Sequence, residues 1–184
     1  MRTNTAGGSV DYTSPLLNLS FNVGSSPYFV RDERNFVLYQ TVKHLPAMQG
    51  LSLADVFLDR GHSIEPHWHP NANELLYMVN GEIVEYIFNP FTSQLLHYRL
   101  GPQQSVYIPM GWWHWTIAIT DRTRFVATFD NKEFEVTYGS DILRKTPPEV
   151  FQMVYGIDAA QWANVIRPIN QTVVIGPLDT RARR

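Results

Sequence analysis

Hydrophobic and polar residues alternate in short runs along the first three quarters of the chain, with Gly or Pro at many of the turns between them. Such short runs at spacings near ten residues are typical of β-strands in an all-β sandwich or barrel. The predicted strands cover 16–23, 29–30, 35–42, 51–58, 74–79, 82–88, 94–100, 105–108, 114–119 and 124–129. A further strand is expected after Gly61, which allows the chain to turn sharply.

The pattern changes after the last of these strands, where three short helices are predicted. Ser140, Thr146 and Asp158 are the expected N-caps, and Gly156 the expected C-cap of the middle helix. Residues 172–175 suggest an edge strand or extended arm. Helices this short are not stable alone, so they must pack on the barrel or on a neighbouring subunit. We therefore divide the chain into a flexible N-terminus at 1–14, a β-barrel at 15–138 and a C-terminal helical segment and tail at 139–184.

Composition supports one compact domain of 184 residues, with 44% hydrophobic and 13% aromatic residues. Charged residues make up only 17%, which favours a surface partly covered in a homodimer or higher homo-oligomer. The net charge is −2, and the one basic group is the tail of Arg181, Arg183 and Arg184, so nucleic acid is not an expected partner.

The chain contains no cysteine, which excludes disulfides and thiolate chemistry. No apolar run is long enough to span a membrane, so no membrane association is expected. The first residues contain no hydrophobic signal core, and a cytoplasmic location is therefore the expectation.

Four residues have the chemistry and spacing of a metal site: His67, His69, Glu74 and His114. On a strand, positions 67 and 69 point to the same face, and Glu74 follows closely enough to return to the same point. His114 must come from another strand. Three imidazoles and one carboxylate suit a divalent transition metal. The other histidines, His44, His62 and His97, have no such spacing, and we assign them to the surface or to loops.

Turn residues frame both segments of the candidate site. Asn80-Gly81 lies between two strand patterns and predicts a tight hairpin turn. Pro109 and Gly111 mark a second turn, which leads to His114.

Together these residues resemble the two sequence motifs of the cupin superfamily. The first motif is Gly61-x5-His67-x-His69-x4-Glu74-x6-Gly81, and the second is Pro109-x-Gly111-x2-His114. The second motif departs at its ends, where Gln103 and Ala118 replace an expected Gly and Asn. The resemblance implies a double-stranded β-helix, or jelly roll, with short C-terminal helices. It also implies that the four residues bind one metal and leave two coordination positions open.

The segments HWHPNANE, YMVNG, FDN and KTPPEVFQMVYGID extend the resemblance to one half of the oxalate decarboxylase family, especially its C-terminal half. The similarity runs from about Leu16 to Gly176. That family has two cupin domains and binds manganese, and germin-type oxalate oxidases are single cupins with the same ligands. This sequence contains one cupin domain.

Two departures concern the substrate. The decarboxylating halves have an Arg three residues before the first metal His, where this chain has Ile64. Their lid, which carries a proton-donating Glu, is about three residues longer than the segment here. Glu135 is the candidate replacement for that general acid; the alternative is a solvated loop carboxylate. The lack of a cation beside the metal weakens the case for oxalate.

Alternation along the strands also predicts the cavity wall. Leu76, Met78, Thr116 and Ala118 share the inward parity of the ligands, and Trp112 is a further candidate. The cavity is therefore expected to be largely apolar. Four aromatic residues are candidates for either the wall or the plain core: Phe57, Tyr86, Tyr107 and Phe125. Three tryptophans have the outward parity: Trp68, Trp113 and Trp115.

Two functions remain open. The first is a metal-dependent oxidoreductase, dioxygenase or decarboxylase acting on a small carboxylate, with O2 as a possible co-substrate. Mn and Fe are the favoured metals, although Ni, Co and Zn tolerate the same ligands. The second is a non-enzymatic module that binds a metal or small ligand, or an isomerase-like cupin.

Overall fold

The computed structural model describes residues 10–178, which form an all-β body followed by three short helices. Most of the predicted flexible stretch 1–14 (residues 1–9) and the tail arginines lie outside these residues. The strands are β1 (Pro27–Val30), β2 (Phe36–Gln40), β3 (Ser52–Leu58), β4 (Ser63–Trp68), β5 (Glu74–Asn80), β6 (Ile83–Asn89), β7 (Gln94–Leu100), β8 (Ser105–Ile108), β9 (His114–Ala118), β10 (Thr123–Phe129), β11 (Thr137–Tyr138) and β12 (Ile175–Gly176). The helices are α1 (Gly139–Lys145), α2 (Pro148–Tyr155) and α3 (Ala159–Ile166).

Two antiparallel sheets make up the β body. One has the strand order β1-β2-β3-β10-β5-β8, and the other β11-β4-β9-β6-β7, with β12 also pairing with β4. Every strand from 27 to 129 for which bounds were predicted coincides with its prediction to within about two residues, and β4 follows Gly61 as expected, which confirms the all-β prediction. The hairpin between β5 and β6 turns at Gly81, whose φ is +74°. A Cβ there would meet Thr123 and Thr120 oxygens at 2.6 and 2.7 Å, so only glycine fits this turn.

The hydrophobic core lies between the two sheets and is built from alternate strand positions. On β10 the inward residues are Phe125, Ala127 and Phe129, each at most 3% exposed. Leu76 and Met78 on β5 and Ala118 on β9 are buried with them, in accordance with the predicted inward parity. The interior of the barrel is therefore apolar except where polar strand residues interrupt the pattern.

The predicted edge strand at 16–23 is wrong. This segment is irregular and ends in a 3₁₀ helix at Val23–Ser25. Asparagine side chains explain the difference, because Asn18 accepts a hydrogen bond from the Ser20 amide and Asn22 accepts one from the Gly24 amide. Such local side-chain bonds compete with a strand ladder. Leu16, which the alternation placed on a strand face, is 89% exposed.

Two of the three predicted helix N-caps are also wrong. Helix α1 begins one residue before Ser140, and the residue before α2 is Pro147 rather than Thr146. Asp158 does cap α3, since its carboxylate accepts from the Gln161 amide at 2.8 Å.

The Gly156 C-cap is confirmed by its left-handed φ of 69°. Helices α2 and α3 pack mainly on each other, with the Phe151 and Trp162 rings stacked 4.3 Å apart. Neither helix has a buried residue. Within residues 10–178, no helix combines the length and hydropathy that a membrane crossing requires.

Candidate metal centre

Three strand ends bring the four predicted ligands together. His67 lies on β4 and pairs with His114, the first residue of β9, while Glu74 is the first residue of β5 in the opposite sheet. His69 follows directly after β4. One ligand atom from each residue lies within 4.8 Å of the other three, and all four residues are buried. Of the histidines in residues 10–178, His44, His62 and His97 lie outside this cluster.

Backbone carbonyls orient all three imidazoles. The Nδ1 atoms of His67, His69 and His114 lie 2.7, 2.7 and 2.8 Å from the carbonyl oxygens of Glu65, Glu135 and Trp112. A carbonyl only accepts hydrogen bonds, so each Nδ1 carries a proton and donates it. In the neutral imidazole the Nε2 atom then presents a lone pair. This is how metal-binding histidines are commonly fixed in proteins.

The centre of the cluster therefore contains acceptors facing one another. Oε2 of Glu74 lies 3.2 Å from Nε2 of His69 and 3.2 Å from Nε2 of His114. These three buried atoms have no hydrogen-bond partner of adequate geometry. A carboxylate oxygen and imidazole lone pairs at this separation are satisfied by a cation between them. The donor set thus fits a divalent metal ion.

The electrostatics of the cluster favour the ligand forms. Burial opposes the charge on Glu74, yet the adjacent His114 and His69 hold the pKa of this carboxyl well below its usual range. Burial lowers the pKa of His67 well below its usual range, and the neighbouring His114 and His69 lower it further. A neutral imidazole and a charged carboxylate are the forms that bind metals.

Asparagines hold the loop between β4 and β5 that carries His69. The Asn71 amide group donates to the Glu133 carbonyl at 3.0 Å, and its oxygen accepts from the Glu135 amide at 2.8 Å. Asn73 binds the Asp130 carboxylate through its side chain and backbone amide. The short segment HPNANE is thereby fixed to the end of β10, which limits the movement of the ligands.

A small cavity lies next to the cluster, with about 50 Å³ open to the centres of water-sized molecules. That space holds roughly four waters. The predicted ligands His67, His69 and Glu74 are part of its lining. The polar groups elsewhere on the wall are Tyr28, Tyr138 and Thr116. The remaining wall is apolar: Val37, Ala54, Val56, Ile64, Phe125, Ala127, Phe129, Phe134, Val136 and Val174.

The wall includes Thr116, which alternation selected, and Phe125, one of the four aromatic candidates. Leu76, Met78 and Ala118 are buried but do not line the cavity. The other aromatic candidates lie elsewhere: Phe57 stacks on Phe36, Tyr86 on Trp115, and Tyr107 is 56% exposed. Trp68 and Trp113 pack against each other, and Trp112 lies near Phe91 rather than on the wall.

The cupin family profile matches residues 31–162. This chain belongs to the cupin family. The two-sheet architecture is accordingly a cupin fold, as the sequence resemblance predicted.

Individual relatives place this cupin near two groups of proteins. It is 28% identical to oxalate decarboxylase OxdC of Bacillus subtilis over 131 residues, which is 68% of this chain and 33% of OxdC. It is 27% identical to legumin B of Pisum sativum over 136 residues, which is 72% of this chain and 40% of legumin B. The chain thus spans well under half the length of these relatives.

Solved structures show the same fold. A structure of Bacillus subtilis oxalate decarboxylase at pH 4.6 superposes with a TM-score of 0.79 and 22% identity, covering 93% of this cupin and 45% of that chain. The coconut allergen cocosin superposes with a TM-score of 0.72 and 20% identity, covering 79% of this cupin and 40% of that chain. The cupin therefore resembles one half of a two-domain protein.

Two sequence-predicted substrate positions have clear locations in this cupin. Ile64 is buried in the wall of the cavity that the predicted ligands His67, His69 and Glu74 also line. Glu135 is exposed and does not belong to the wall, although its carbonyl accepts from His69. A role for the Glu135 carboxylate as general acid stays a prediction.

Sequence reasoning missed four polar residues near the site: Tyr28, Glu65, Glu85 and Tyr138. Tyr138 donates a hydrogen bond to the Tyr28 hydroxyl at 3.2 Å, and burial raises the pKa of Tyr138 well above its usual range. Glu85 had a visible signal, because it interrupts the buried alternation of Ile83 and Ile87 on β6. The tyrosines had none, since aromatic residues are common on strands of any barrel.

Proposed function

We propose that this chain binds one divalent transition metal, Mn or Fe in preference to Ni, Co or Zn, through His67, His69, Glu74 and His114. We further propose that it uses the metal as an oxygenase or decarboxylase of a small carboxylic acid. The observation that carries the proposal is the set of buried acceptor atoms facing one another at 3.2 Å beside a cavity. A metal bound there would supply Lewis acidity and, if Mn or Fe, one-electron chemistry.

The relatives support this choice of chemistry. One structural neighbour is a Bacillus subtilis oxalate decarboxylase from a study of its Mn(II) centres. It superposes with a TM-score of 0.79 and 23% identity. Another concerns the substrate binding mode and reaction specificity of the same enzyme. Manganese is therefore the first metal to test, and small carboxylates are the first substrates.

The cavity favours a small acid with an apolar remainder. Its volume of about 50 Å³ accommodates only a few heavy atoms beyond the metal ligands. No lysine or arginine of residues 10–178 lies on the wall. Ile64 fills the position of the expected cation, so a dicarboxylate such as oxalate has no second charged contact. Tyr28 and Tyr138 are the polar wall residues that can bind an acid group beyond the predicted ligands and Thr116.

The residues of the cavity wall would bind the acid and exclude water from it, rather than react with it. The apolar wall removes water from the bound acid, which strengthens its interaction with the charged centre. The predicted proton donor is Glu135, whose carbonyl accepts a hydrogen bond from His69 and whose side chain is exposed.

A second candidate is a cupin that binds a metal or small ligand without turnover. Legumin B of Pisum sativum favours it, because its similarity covers as much of the chain as that of OxdC. The apolar position of Ile64 favours it as well. Metal binding without O2 uptake or CO2 release across the acids tested would support this second function.

We also propose that the chain forms homo-oligomers. Helices α2 and α3 have no buried residue, and α2 presents Met153, Val154 and Tyr155, which are 80, 56 and 69% exposed. Exposed apolar surface of this kind is typical of interfaces. Light scattering after gel filtration measures the mass directly, and a 21.2 kDa species would contradict the proposal.

The decisive experiment has two stages. Elemental analysis of the purified protein should find close to one Mn or Fe per chain, and His114→Ala should reduce that content at least tenfold. O2 consumption and CO2 release are then measured with acetate, pyruvate, oxalate and longer monocarboxylates. A wild-type protein that retains no metal would contradict the proposal.

Two variants test the finer assignments. Glu135→Gln should lower turnover about 100-fold if this carboxylate is the general acid; unchanged turnover removes it from the mechanism. Ile64→Arg introduces a cation into the wall and should increase activity with oxalate relative to monocarboxylates. If oxalate is inert before and after that substitution, oxalate is excluded as a substrate.

A further inference from the structure

Glu85 is a carboxylic acid in the interior of the barrel, with no role so far. It lies in the middle of β6, and its side chain is fully buried. Its single hydrogen-bond partner is the Thr116 hydroxyl, 2.5 Å from Oε2. The other oxygen, Oε1, has no partner. A buried carboxyl with one neutral partner and one unpaired oxygen is unusual, because burial of polar groups without hydrogen bonds is costly.

The surroundings of Glu85 favour the uncharged acid. No lysine or arginine of residues 10–178 is buried. On the two neighbouring strands Glu85 pairs with Thr116 of β9 and with Tyr98 of β7, and the charged group that acts on it is Glu74 of β5. Burial raises the pKa of Glu85 well above its ordinary value, the Thr116 hydrogen bond opposes this shift, and the Glu74 charge adds to it.

Thr116 connects Glu85 to the cavity. It pairs directly with Glu85 across the β6–β9 ladder, and with Ile64 on β4 on its other side. The Thr116 side chain is part of the cavity wall that also contains His67, His69 and Glu74. A hydroxyl accepts one hydrogen bond while it donates another. In the structure the Thr116 hydroxyl donates to Oε2 of Glu85. With its proton rotated toward the cavity, the same hydroxyl accepts from protonated Glu85 and donates to a molecule in the cavity.

We propose that Glu85 and Thr116 form an internal proton relay that serves the cavity from inside the barrel. Glu85 holds the proton and acts through Thr116, so it is a positioning residue rather than one that touches the substrate. This inference rests on the proposed function in one respect, because the relay supplies the proton that the proposed decarboxylation requires.

The proton inventory of such a step balances. When the C–C bond breaks and CO2 leaves, the bonding electrons stay on the organic fragment. The fragment takes the hydroxyl proton of Thr116, and Thr116 takes the proton of Glu85. Glu85 is left as a carboxylate and regains its proton from the next substrate, which enters as the neutral acid. The net change is one carboxylic acid converted into CO2 and the protonated fragment.

Infrared difference spectroscopy tests the relay without requiring turnover. At pH 7, wild-type protein labelled with ¹³C-glutamate should show the carbonyl band of a protonated carboxylic acid, and Glu85→Gln should lose it. Glu82→Gln is the matched control, because Glu82 lies on the same hairpin but pairs with Arg99 at the surface; it should keep the band. Acetate should shift the band in wild type and leave it unmoved in Thr116→Val.

Absence of the band in wild type, or a band that acetate leaves in place, would overturn the proposal. The spectra are recorded with and without added Mn(II), so the result does not depend on activity. If no acid is turned over but the band and its acetate shift are present, the proposed function fails and the relay stands. If an acid is turned over, Glu85→Gln should lower its rate about 100-fold with unchanged metal content. If Glu85→Gln does not fold, Thr116→Val assigns the band to Glu85 instead. Valine has the shape of threonine but cannot hydrogen-bond to Glu85, so the band should shift.

Discussion

Two buried glutamates of one sheet have opposite surroundings. Glu65 on β4 accepts four hydrogen bonds, from the amide and hydroxyl of Ser140 and from the amides of Val173 and Val174. Glu85 on β6, with only β9 between the two strands, accepts one. The first glutamate is fully satisfied by protein groups, and the second has an oxygen without a partner.

The difference separates a structural role from a chemical one. Glu65 ties the start of α1 and the segment before β12 to the barrel, and these segments supply Tyr138 and Val174 to the cavity wall. Four donors hold both oxygens of the Glu65 carboxylate in place. Glu85 holds nothing in place except Thr116. A buried acid that stabilises so little of the fold is a better candidate for chemistry than one that stabilises much.

The largest expected effect is the loss of the Glu65 contacts. Glu65→Ala leaves four donors without their acceptor in a buried site, and we expect the free energy of unfolding to fall by about 3 to 5 kcal/mol. Urea denaturation followed by tryptophan fluorescence measures it. The control is Glu82→Ala at the surface, which should change stability by less than about 0.5 kcal/mol. Equal effects of the two variants would refute the structural role of Glu65.

Metal binding should give the next largest effect, at the cluster that lines the same cavity as Thr116, the partner of Glu85. Mn(II) at 100 times its dissociation constant should stabilise metal-free protein by about 2.7 kcal/mol. The same addition should leave His114→Ala unchanged, because the cluster has lost one of its four ligands. Thermal unfolding with and without Mn(II) makes the comparison, and a stabilisation that survives in His114→Ala would place the metal elsewhere.

The buried Glu85 side chain should affect how the stability of the protein depends on pH. The folded protein keeps the Glu85 proton above its ordinary pKa of 4.5, whereas the unfolded chain loses it. The stability that this proton provides is fully present below pH 4.5 and is lost as the pH rises toward the folded-state pKa.

Relative to wild type, Glu85→Gln should therefore become more stable as the pH rises from 4.5, by at most about 1.4 kcal/mol per pH unit. Urea midpoints at a series of pH values measure this slope. A difference between the two proteins that is constant with pH would mean that Glu85 is ionised in the folded state.

The smallest effect should come from Ser140. Its hydroxyl donates to Glu65 at 2.8 Å and accepts from the Val173 amide at 3.1 Å, while three amide donors remain on Glu65 without it. Ser140→Ala should lower the free energy of unfolding by about 1 kcal/mol. A loss as large as that of Glu65→Ala would mean that the hydroxyl, rather than the carboxylate, holds the C-terminal segment.

The sequence alone determined the strands, their turns and the four residues that meet at the candidate metal centre. This was possible because alternation with period two and turn glycines are local properties, and because motif residues such as Gly61 and His114 have fixed spacings. It also predicted which strand faces are buried. It failed where a side chain competed with the backbone, as Asn18 and Asn22 do in the segment expected to be a strand.

Only the tertiary structure decided which residues share the cavity. An irregularity in β4 between Ile64 and His67 allows both to line the wall, although simple alternation would place them on opposite faces. The return of β12 onto β4 brings donors from more than 100 positions away to Glu65. Partners so distant in sequence, and the lack of any for one oxygen of Glu85, depend on how the two sheets close. Local sequence patterns do not determine these long-range contacts.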